Sequence, residues 1–584
     1  MKNLIKYILI MLVFTGMIAC DTLEPVDENR LDFDFVSTNP EAAEGILLNG
    51  YSNLVNQYSF SEAATDDAVT NLLTRVSNTV NNDYKRMALG ELNAQFNPAS
   101  RWNNFERVFW VNRFIEIVDA GEMQWSRDTL TNDMFNMRLK GEALALRALH
   151  HFYVLQAHAG VGESGELLGI PYFTEFIESD GDFNTPRLSF EASVQAIMKD
   201  FDESLGLLPT DYGLSEGNVD PWYSNLENFD FNKYQVVNDN FFDLRISGRI
   251  VKALKARLAL FAASPSFLND QGYYNMAANN ASEILNTIGG VAGLNPDGGE
   301  FYKEKDENNV IIRDEILWRG SLGSISSTYE KRMFPPSVNG RGEINPTHNF
   351  VNAFPMVDGT PIDESSDYDP QNPYANRDPR LEKYVVLNGT SFGGGIINTG
   401  LGGGIDRLDS IPQFSTTTGY YLKKLLQPDV KLNNDGTTSG KIHADVYFRY
   451  TELFLILAES ANEIGGPDYQ VNGITARDVI AAIRDRAGIA PDNYLASITS
   501  QEDMRDLIRN ERRIELSFEG HRFWDLRRWG LPLNETAKGY FYNGTNYVEL
   551  PSVEIRNYQP FATYMPIPNA ETIKFSELEQ NNGW

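Results

Sequence analysis

The densest run of side chains able to do chemistry lies near the C-terminus, from Glu511 to Arg528. Glu511, Glu515 and Glu519 recur every four residues, so a helix places them along one side, and Arg512 precedes Glu515 by three, within pairing reach. Two carboxylates at a fixed separation are the equipment of a glycoside hydrolase, one acting as acid and the other as base or nucleophile. The acid of such a pair must keep its proton, and the arginines of this run would hold the glutamates ionised. The run therefore reads as an ion-pair and hydrogen-bond network that fixes the segment against the core. His150 and His151 are neighbours on a predicted helix, about 100° apart, which makes them poor partners for one metal. The acidic loop Asp363-Glu364-Ser365-Ser366-Asp367-Tyr368-Asp369 offers hard oxygens but lacks the glycine and closing glutamate of an EF-hand. It is expected to be a solvated loop, with a structural calcium ion as the alternative. The glycine-rich stretch 392–404 lacks the Lys-Ser/Thr of a phosphate-binding loop, and no HExxH zinc spacing occurs. The expectation is a chain that is not an enzyme and needs no cofactor or catalytic metal.

Charge and cysteine usage narrow the class. The chain has 80 acidic and 50 basic residues and a net charge of -30, so a phosphate backbone is repelled and nucleic acid is excluded as a partner. With 42% of its 584 residues apolar it can build a packed core. Cys20 is the sole cysteine, which rules out an intrachain disulfide and a cysteine-based zinc site. Lys2 and Lys6 precede an apolar stretch, 7–19, that rises about 20 Å as a helix, short of a ~30 Å hydrocarbon core. That pattern is a secretory signal. Its end, Met17-Ile18-Ala19-Cys20, resembles a bacterial lipobox, which implies cleavage before Cys20, lipidation of its thiol and anchoring at a membrane. The acidic residues 21–28 suit a tether and resemble the surface-export signal of Bacteroidetes lipoproteins.

The rest must position whatever site there is, and its periodicity is helical. Ser100 is a plausible N-cap ahead of Trp102, Phe105, Val108 and Phe109. Further apolar stripes run through 134–159 (Leu139, Leu146, Leu149, Tyr153), 189–207 (Val194, Ile197, Phe201, Leu205) and 248–263 (Val251, Leu254, Leu258, Phe261). Residues 273–288 read as the antiparallel partner of the last. Tyr450, Leu453, Phe454 and Leu457 make another stripe, and Thr475 with Asp478 and Ser500 with Asp503 look like capping boxes. Helix pairs on short turns predict a mainly α scaffold of degenerate tetratricopeptide-like repeats. Three stretches, 211–245, 290–447 and 531–584, do not read as helix and carry a few short strands such as 384–387. Loops of that length usually carry function.

The C-terminal third is specific. Arg449-Tyr450-Thr451-Glu452 through Ala458-Glu459-Ser460, the turn Asp485-Arg486-Ala487-Gly488, the run Glu511 to Gly530, Pro566-Ile567-Pro568 and the ending Leu578 to Trp584 together resemble the signature of the SusD/RagB family. Upstream, Glu142 to Ala148, Lys252 to Arg257, Phe354 to Gly359, Arg377 to Leu381 and Gly419 to Lys424 fit in order, so the resemblance spans nearly the whole mature chain. It implies a SusD-like fold: mainly α, with tetratricopeptide-like helix pairs and long irregular loops. It also implies a surface lipoprotein of the outer membrane that binds nutrient fragments without cleaving them and sits over a SusC-like TonB-dependent transporter. The expected organisation is a signal peptide over 1–19, lipidated Cys20 and tether over 20–36, and a single domain over 37–584. That domain comprises a helical part to 289, a loop-rich part over 290–447 and a signature part from 448.

Family ligands include glycans, and peptides for some members; a glycan is the expected ligand and a peptide the alternative. A sugar site needs flat aromatic faces and short polar groups held in advance. The resemblance directs attention to loops near the N-terminal region and after the repeat helices. There the candidates are Asp66, Asp67, Asn71, Tyr84 and Arg86, then Tyr329, Arg332, Phe334 and Asn339, with Trp222 and Tyr223 in a third loop. The rival readings are a surface glycoside hydrolase, suggested by the abundant carboxylates, and a helical scaffold for protein assembly.

Overall fold

The computed structural model describes residues 33–72, 80–178, 180–303 and 313–584. The apolar leader, Cys20 and the acidic tether residues 21–28 lie outside them. The principal helices are α1 (Pro40–Asn49), α2 (Val80–Arg86), α3 (Asn104–Asp119), α4 (Thr129–His158), α5 (Phe190–Leu205), α6 (Gly248–Ala263), α7 (Gln271–Thr287), α8 (Tyr450–Gly465), α9 (Ala476–Ala487), α10 (Gln501–Glu515) and α11 (Arg522–Arg528). Strands occur only as two-stranded antiparallel pieces among the described residues. β1 (Ala68–Thr70) pairs with β3 (Ile344–Pro346), and β2 (Ile316–Leu322) pairs with β6 (Ala444–Arg449). β4 (Thr390–Phe392) and β5 (Gly395–Ile397) form one hairpin, β7 (Ala537–Tyr542) and β8 (Tyr547–Glu554) another.

The apolar stripes pack as their spacing requires. α3 packs on α4, α4 on α5, α6 on α7, and α8 takes the far side of α7 together with α9 and α10. Leu149, Val194, Phe201, Val251, Leu254, Leu258, Leu453 and Leu457 meet in one core. A second core, under the loop-rich part, gathers Phe350, Phe354, Leu381, Tyr420, Leu422 and Phe518. No helix among the described residues is long and apolar enough to cross a membrane.

Capping chemistry decides the helix ends. Thr475 and Asp478 form the full reciprocal box, whereas Ser500 accepts from the Asp503 amide. α4 starts at Thr129, five residues before the apolar stripe begins, because Asp128 accepts from the Thr131 amide. Ser100 does not cap α3. The helix begins at Asn104, and the Ser100 hydroxyl instead lies 3.1 Å from Nε2 of His158. The stretch 211–245 also departs from expectation, since it contains the helix Phe231–Asn238, capped by Asp230. Its Tyr234 and Val237 bury against Met134 of α4. The strand expected at 384–387 is a two-residue ladder in which Val385 and Val386 pair with Leu422 and Tyr421.

His150 and His151 are fully buried and face different partners, with His150 bound to Asn104 Oδ1 and the Gly50 carbonyl and His151 to the Arg147 carbonyl and the Phe173 amide. The chain end is a clasp. Asn581 donates to the carbonyls of His158 and Met565 and accepts from Arg187, and the Asn582 amide reaches the Val161 carbonyl at 2.8 Å.

Glu511 and Glu515 lie on α10, which ends at Glu515, and Glu519 lies in the turn beyond it, so the three glutamates share a buried charge lattice without sharing a helix. Glu515 accepts from Arg486 at 2.6 Å and Arg380 at 3.1 Å. Glu511 pairs with Arg380, and Glu519 with Lys424 and Arg449, both at 2.7 Å. Arg449 continues to Glu315 at 2.8 Å. Burial pushes Glu515 up, yet Arg486, Arg449 and Arg380 outweigh it and hold the carboxyl at about 2. A group depressed in this way stabilises the fold above its unfolded value and loses that contribution as pH falls toward 2. Glu515→Ala leaves those cations without their shared acceptor and is expected to cost about 3–5 kcal/mol in urea unfolding at pH 7. Its deficit against the wild type should shrink between pH 4.5 and 2.

Candidate functional site

β1 sits where three distant parts of the chain converge. It pairs with β3, so Thr70 faces Ile344, and the Asn71 amide donates to the Glu343 carbonyl at 3.1 Å. The Asn71 side chain donates to the carbonyl of Arg341 at 2.9 Å. Glu343 in turn accepts from Arg332 Nε at 2.8 Å. Lys85 of α2 donates to the carbonyls of Thr70 and Leu72, at 3.0 and 3.1 Å, which docks α2 and the loop after it on the same edge.

That loop is built to be rigid. Residues 87–91 form a single π-turn, a geometry that recurs at functional sites. It closes on Gly90 at φ +103°, where a Cβ would meet Asn557 Nδ2 at 2.6 Å. The Asn557 amide donates to the Ala88 carbonyl and the Asn569 amide to that of Ala94, both at 2.8 Å. Asn93 Oδ1 accepts the amides of Gln95 and Phe96 at 2.8 and 3.1 Å. On this frame the guanidinium of Arg86 lies 4.1 Å from the ring centre of half-buried Phe96. Glu91 holds Arg86 at 2.7 Å and Asp83 at 3.3 Å. The face thus presents a planar cation over an aromatic ring, exposed amides at Asn93 and Gln95, and carboxylates, all fixed by backbone bonds. It can stack and hydrogen-bond a flat polar ligand.

Comparison with known proteins agrees with the fold. The SusD family model matches residues 311–584, and a second, described as starch-binding associating with outer membrane, matches 34–216. The chain belongs to the SusD/RagB family. SusD-like protein P38 of Formosa agariphila is 22% identical over 544 residues, covering 90% of this chain and 91% of that one. SusD-like protein P25 of the same organism is 31% identical over 131 residues, 22% of each chain. A SusD-like protein from Bacteroides fragilis superposes with a TM-score of 0.71 at 22% identity, covering 96% of this chain and all of the other (100%). A laminarin binding SusD-like protein gives 0.57 at 19% identity over 94% of this chain and 100% of that one. Proteins of this family are surface-exposed lipoproteins of the outer membrane that partner SusC-like transporters and bind without catalysis. This SusD-family chain is therefore a non-catalytic outer-membrane protein.

Glu511, Glu515 and Glu519 are buried in ion pairs. No nucleophile elbow was expected from the sequence, yet Gly389-Thr390-Ser391-Phe392-Gly393 has its spacing. It forms the β4–β5 hairpin, with no helix after the serine, so the elbow geometry is absent. In the acidic loop, Asp369 accepts from the Gln371 amide and Asn372, and among the described residues no three metal-ligating side chains converge.

The sequence-selected residues of the SusD-family chain divide by environment. Asp66 and Asp67 are buried. Arg513 holds both, at 2.8 Å to Asp66 and 2.7 Å to Asp67, and Arg522 adds 2.8 Å to Asp66. Burial pushes Asp66 up, but those arginines hold it well below the usual carboxylate range. Buried Tyr84 lies beside Phe523, and burial lifts its hydroxyl to about 12. Phe334 is buried edge-on to Phe392. Tyr329 stacks on Tyr58 with ring centres 4.0 Å apart. Asn339 is exposed, with φ +65°, and donates to the Leu432 carbonyl at 2.6 Å. Trp222 and Tyr223 belong to another cluster, donating to the carbonyls of Leu208 and Leu207 at 3.0 and 2.6 Å. Phe96, Glu91, Asn93 and Gly90 were not selected from the sequence. The available signal was a lone aromatic in the amide-rich run Asn93-Ala94-Gln95-Phe96-Asn97-Pro98.

Under β1, Glu62 is fully buried, accepts the Gly520 amide at 2.8 Å on one oxygen and leaves the other unpartnered. Burial pushes it up to about 7. Its folded value exceeds the unfolded one, so its contribution is present below pH 4.5 and lost as pH rises through 7. Glu62→Gln removes this dependence, and its stability relative to wild type should rise by about 3 kcal/mol between pH 4.5 and 8. Gly90→Ala should destabilise the chain by about 1–3 kcal/mol in thermal or urea unfolding, through strain at positive φ and the collision with Asn557.

Proposed function

We propose that this protein is anchored by lipid on Cys20, carries its 37–584 body as one domain on the 20–36 tether, and binds oligosaccharide for delivery to a SusC-like transporter. The binding surface in this reading is the Arg86–Phe96 platform together with partly exposed Arg332 and exposed Asn339, whereas Asn71 is buried and serves to fix the β1–β3 edge. The observation that carries it is the cation-stacked aromatic on a loop latched by three backbone contacts, Asn557 to Ala88, Asn569 to Ala94 and Asn93 to Phe96. A sugar ring offers an apolar C–H face and equatorial hydroxyls. Such a platform supplies stacking to the first and charged or amide partners to the second, with the ordering cost already met by the fold. Relatives described as a SusD-like carbohydrate binding protein and a laminarin binding SusD-like protein support a glycan rather than a peptide.

Affinity electrophoresis of the mature chain in gels containing single polysaccharides checks this. Wild type should be retarded by at least one polymer without new reducing ends. Phe96→Ala should weaken that retardation at least tenfold, about 1.4 kcal/mol, while Trp222→Ala leaves it unchanged. Retention of full binding by Phe96→Ala would remove the platform from the site. Binding of peptides with no response to any polymer would overturn the glycan reading.

A further inference from the structure

A cleft on the helical side of the molecule contains a cation without a counter-charge. It lies between α4, the turn at 55–57, β6 and the start of α11, with a free volume of about 70 Å³. Its ionic lining is nearly balanced. Arg257 binds Glu452 at 2.7 Å, and Arg449 binds Glu519 at 2.7 Å. Arg101 alone in this lining makes no ion pair among the described residues. One of its N–H groups donates to Gln156 Oε1 at 2.6 Å. Its guanidinium sits 4.6 Å from the ring centre of Trp524 and 5.2 Å from that of Tyr153. Stacking on ring faces leaves the in-plane N–H edge of a guanidinium able to bind, and that edge is the fork that matches a carboxylate.

The contrast with other arginines is chemical. Arg187 and Arg377 also lack ion pairs, but they are buried and donate to backbone carbonyls on every nitrogen. Arg101 is partly buried at a cleft, where burial pulls its guanidinium down from its ordinary value, in a chain of net charge -30. A neighbouring donor completes the cup. Arg512 donates to Nδ1 of His521 at 3.3 Å, and burial holds this histidine neutral, at about 4. A neutral ring that accepts at Nδ1 carries its proton on Nε2, so His521 is a donor in the same lining.

We infer that this cleft takes the carboxylate of a small acidic ligand, with Arg101 as its fork and Gln156 and His521 beside it. The volume admits one charged group and a few waters, so an acidic sugar would insert its carboxylate and leave its chain at the mouth. The site is separate from the Arg86–Phe96 platform. It rests on the glycan reading only for the source of the carboxylate.

The test is isothermal titration and thermal shift of the mature chain with trigalacturonate, its neutral trigalactose counterpart, and acetate. Trigalacturonate should bind and raise the melting temperature, with affinity falling as salt is added, and trigalactose should not bind this cleft. Arg101→Gln should weaken trigalacturonate at least tenfold and Arg101→Lys less than Arg101→Gln, while Phe96→Ala leaves the response intact. Preserved thermal stability of Arg101→Gln without ligand separates this role from a structural clamp, which would instead lower its melting temperature. Equal response to acetate at matched carboxylate concentration supports the cleft and assigns it to free acids rather than sugars. Absence of any carboxylate response in wild type, or an equal response in Arg101→Gln, overturns the inference whatever the polysaccharide gels give.

Discussion

The molecule hangs on the pairing of buried charge around Glu515. A carboxylate taken out of water is tolerated only when cations replace its solvent. Here the cations come from Arg380 in the loop-rich part, Arg449 at the start of α8, Arg486 at the end of α9 and Lys424. One helix face therefore binds four separated stretches of chain. The neighbouring Arg513 and Arg522 extend the same device to Asp66 and Asp67, just ahead of β1. The edge that carries the candidate face is fixed in this way to the C-terminal signature, more than 400 residues later (|i−j| = 447 for Asp66 and Arg513).

This arrangement explains why the signature is charged although its glutamates Glu511, Glu515 and Glu519 are buried. Hydrophobic contacts alone have little angular preference, and they would let the loop-rich part slide over the helices. Bidentate guanidinium–carboxylate contacts specify a register. The guanidiniums of Arg86 and Arg101 take no part in this lattice. Arg86 is held by Glu91 and Asp83, whereas Arg101 has no carboxylate partner, which is the condition for a guanidinium to meet an anionic ligand.

What could be read in the sequence followed the range of the interactions. The helix stripes and the Thr475–Asp478 cap are set by residues within one or two turns, and periodicity exposes them. The glutamate spacing placed Glu511 and Glu515 on one helix but not Glu519, which lies in the turn after it, and the arginine-rich context indicated ion pairs. The partners Arg380 and Lys424 could not be named, because topology alone brings them there. The same limit governs the candidate site. Asp66 and Asp67 have the composition of binding residues, yet their arginine partners lie in another part of the chain. Trp222 and Tyr223 were selected as loop aromatics, but they cluster with the helix Phe231–Asn238, and their polar tips donate to the carbonyls of Leu208 and Leu207. Phe96 escaped notice because its environment depends on the Gly90 turn and on Asn557 and Asn569.

The clasp at the end of the chain has a consequence for how the protein is made. Asn581 is almost fully buried and completes the hydrogen bonding of His158 and Arg187, which lie in the first third of the sequence. A chain emerging N-terminus first must leave the end of α4 unfinished until Asn581 has been made. The first helices then wait, partly assembled, for residues made much later, with β1 likewise waiting for β3. Folding closes on a contact between α4 and a segment 423 positions later, so the helical part and the signature part become stable together.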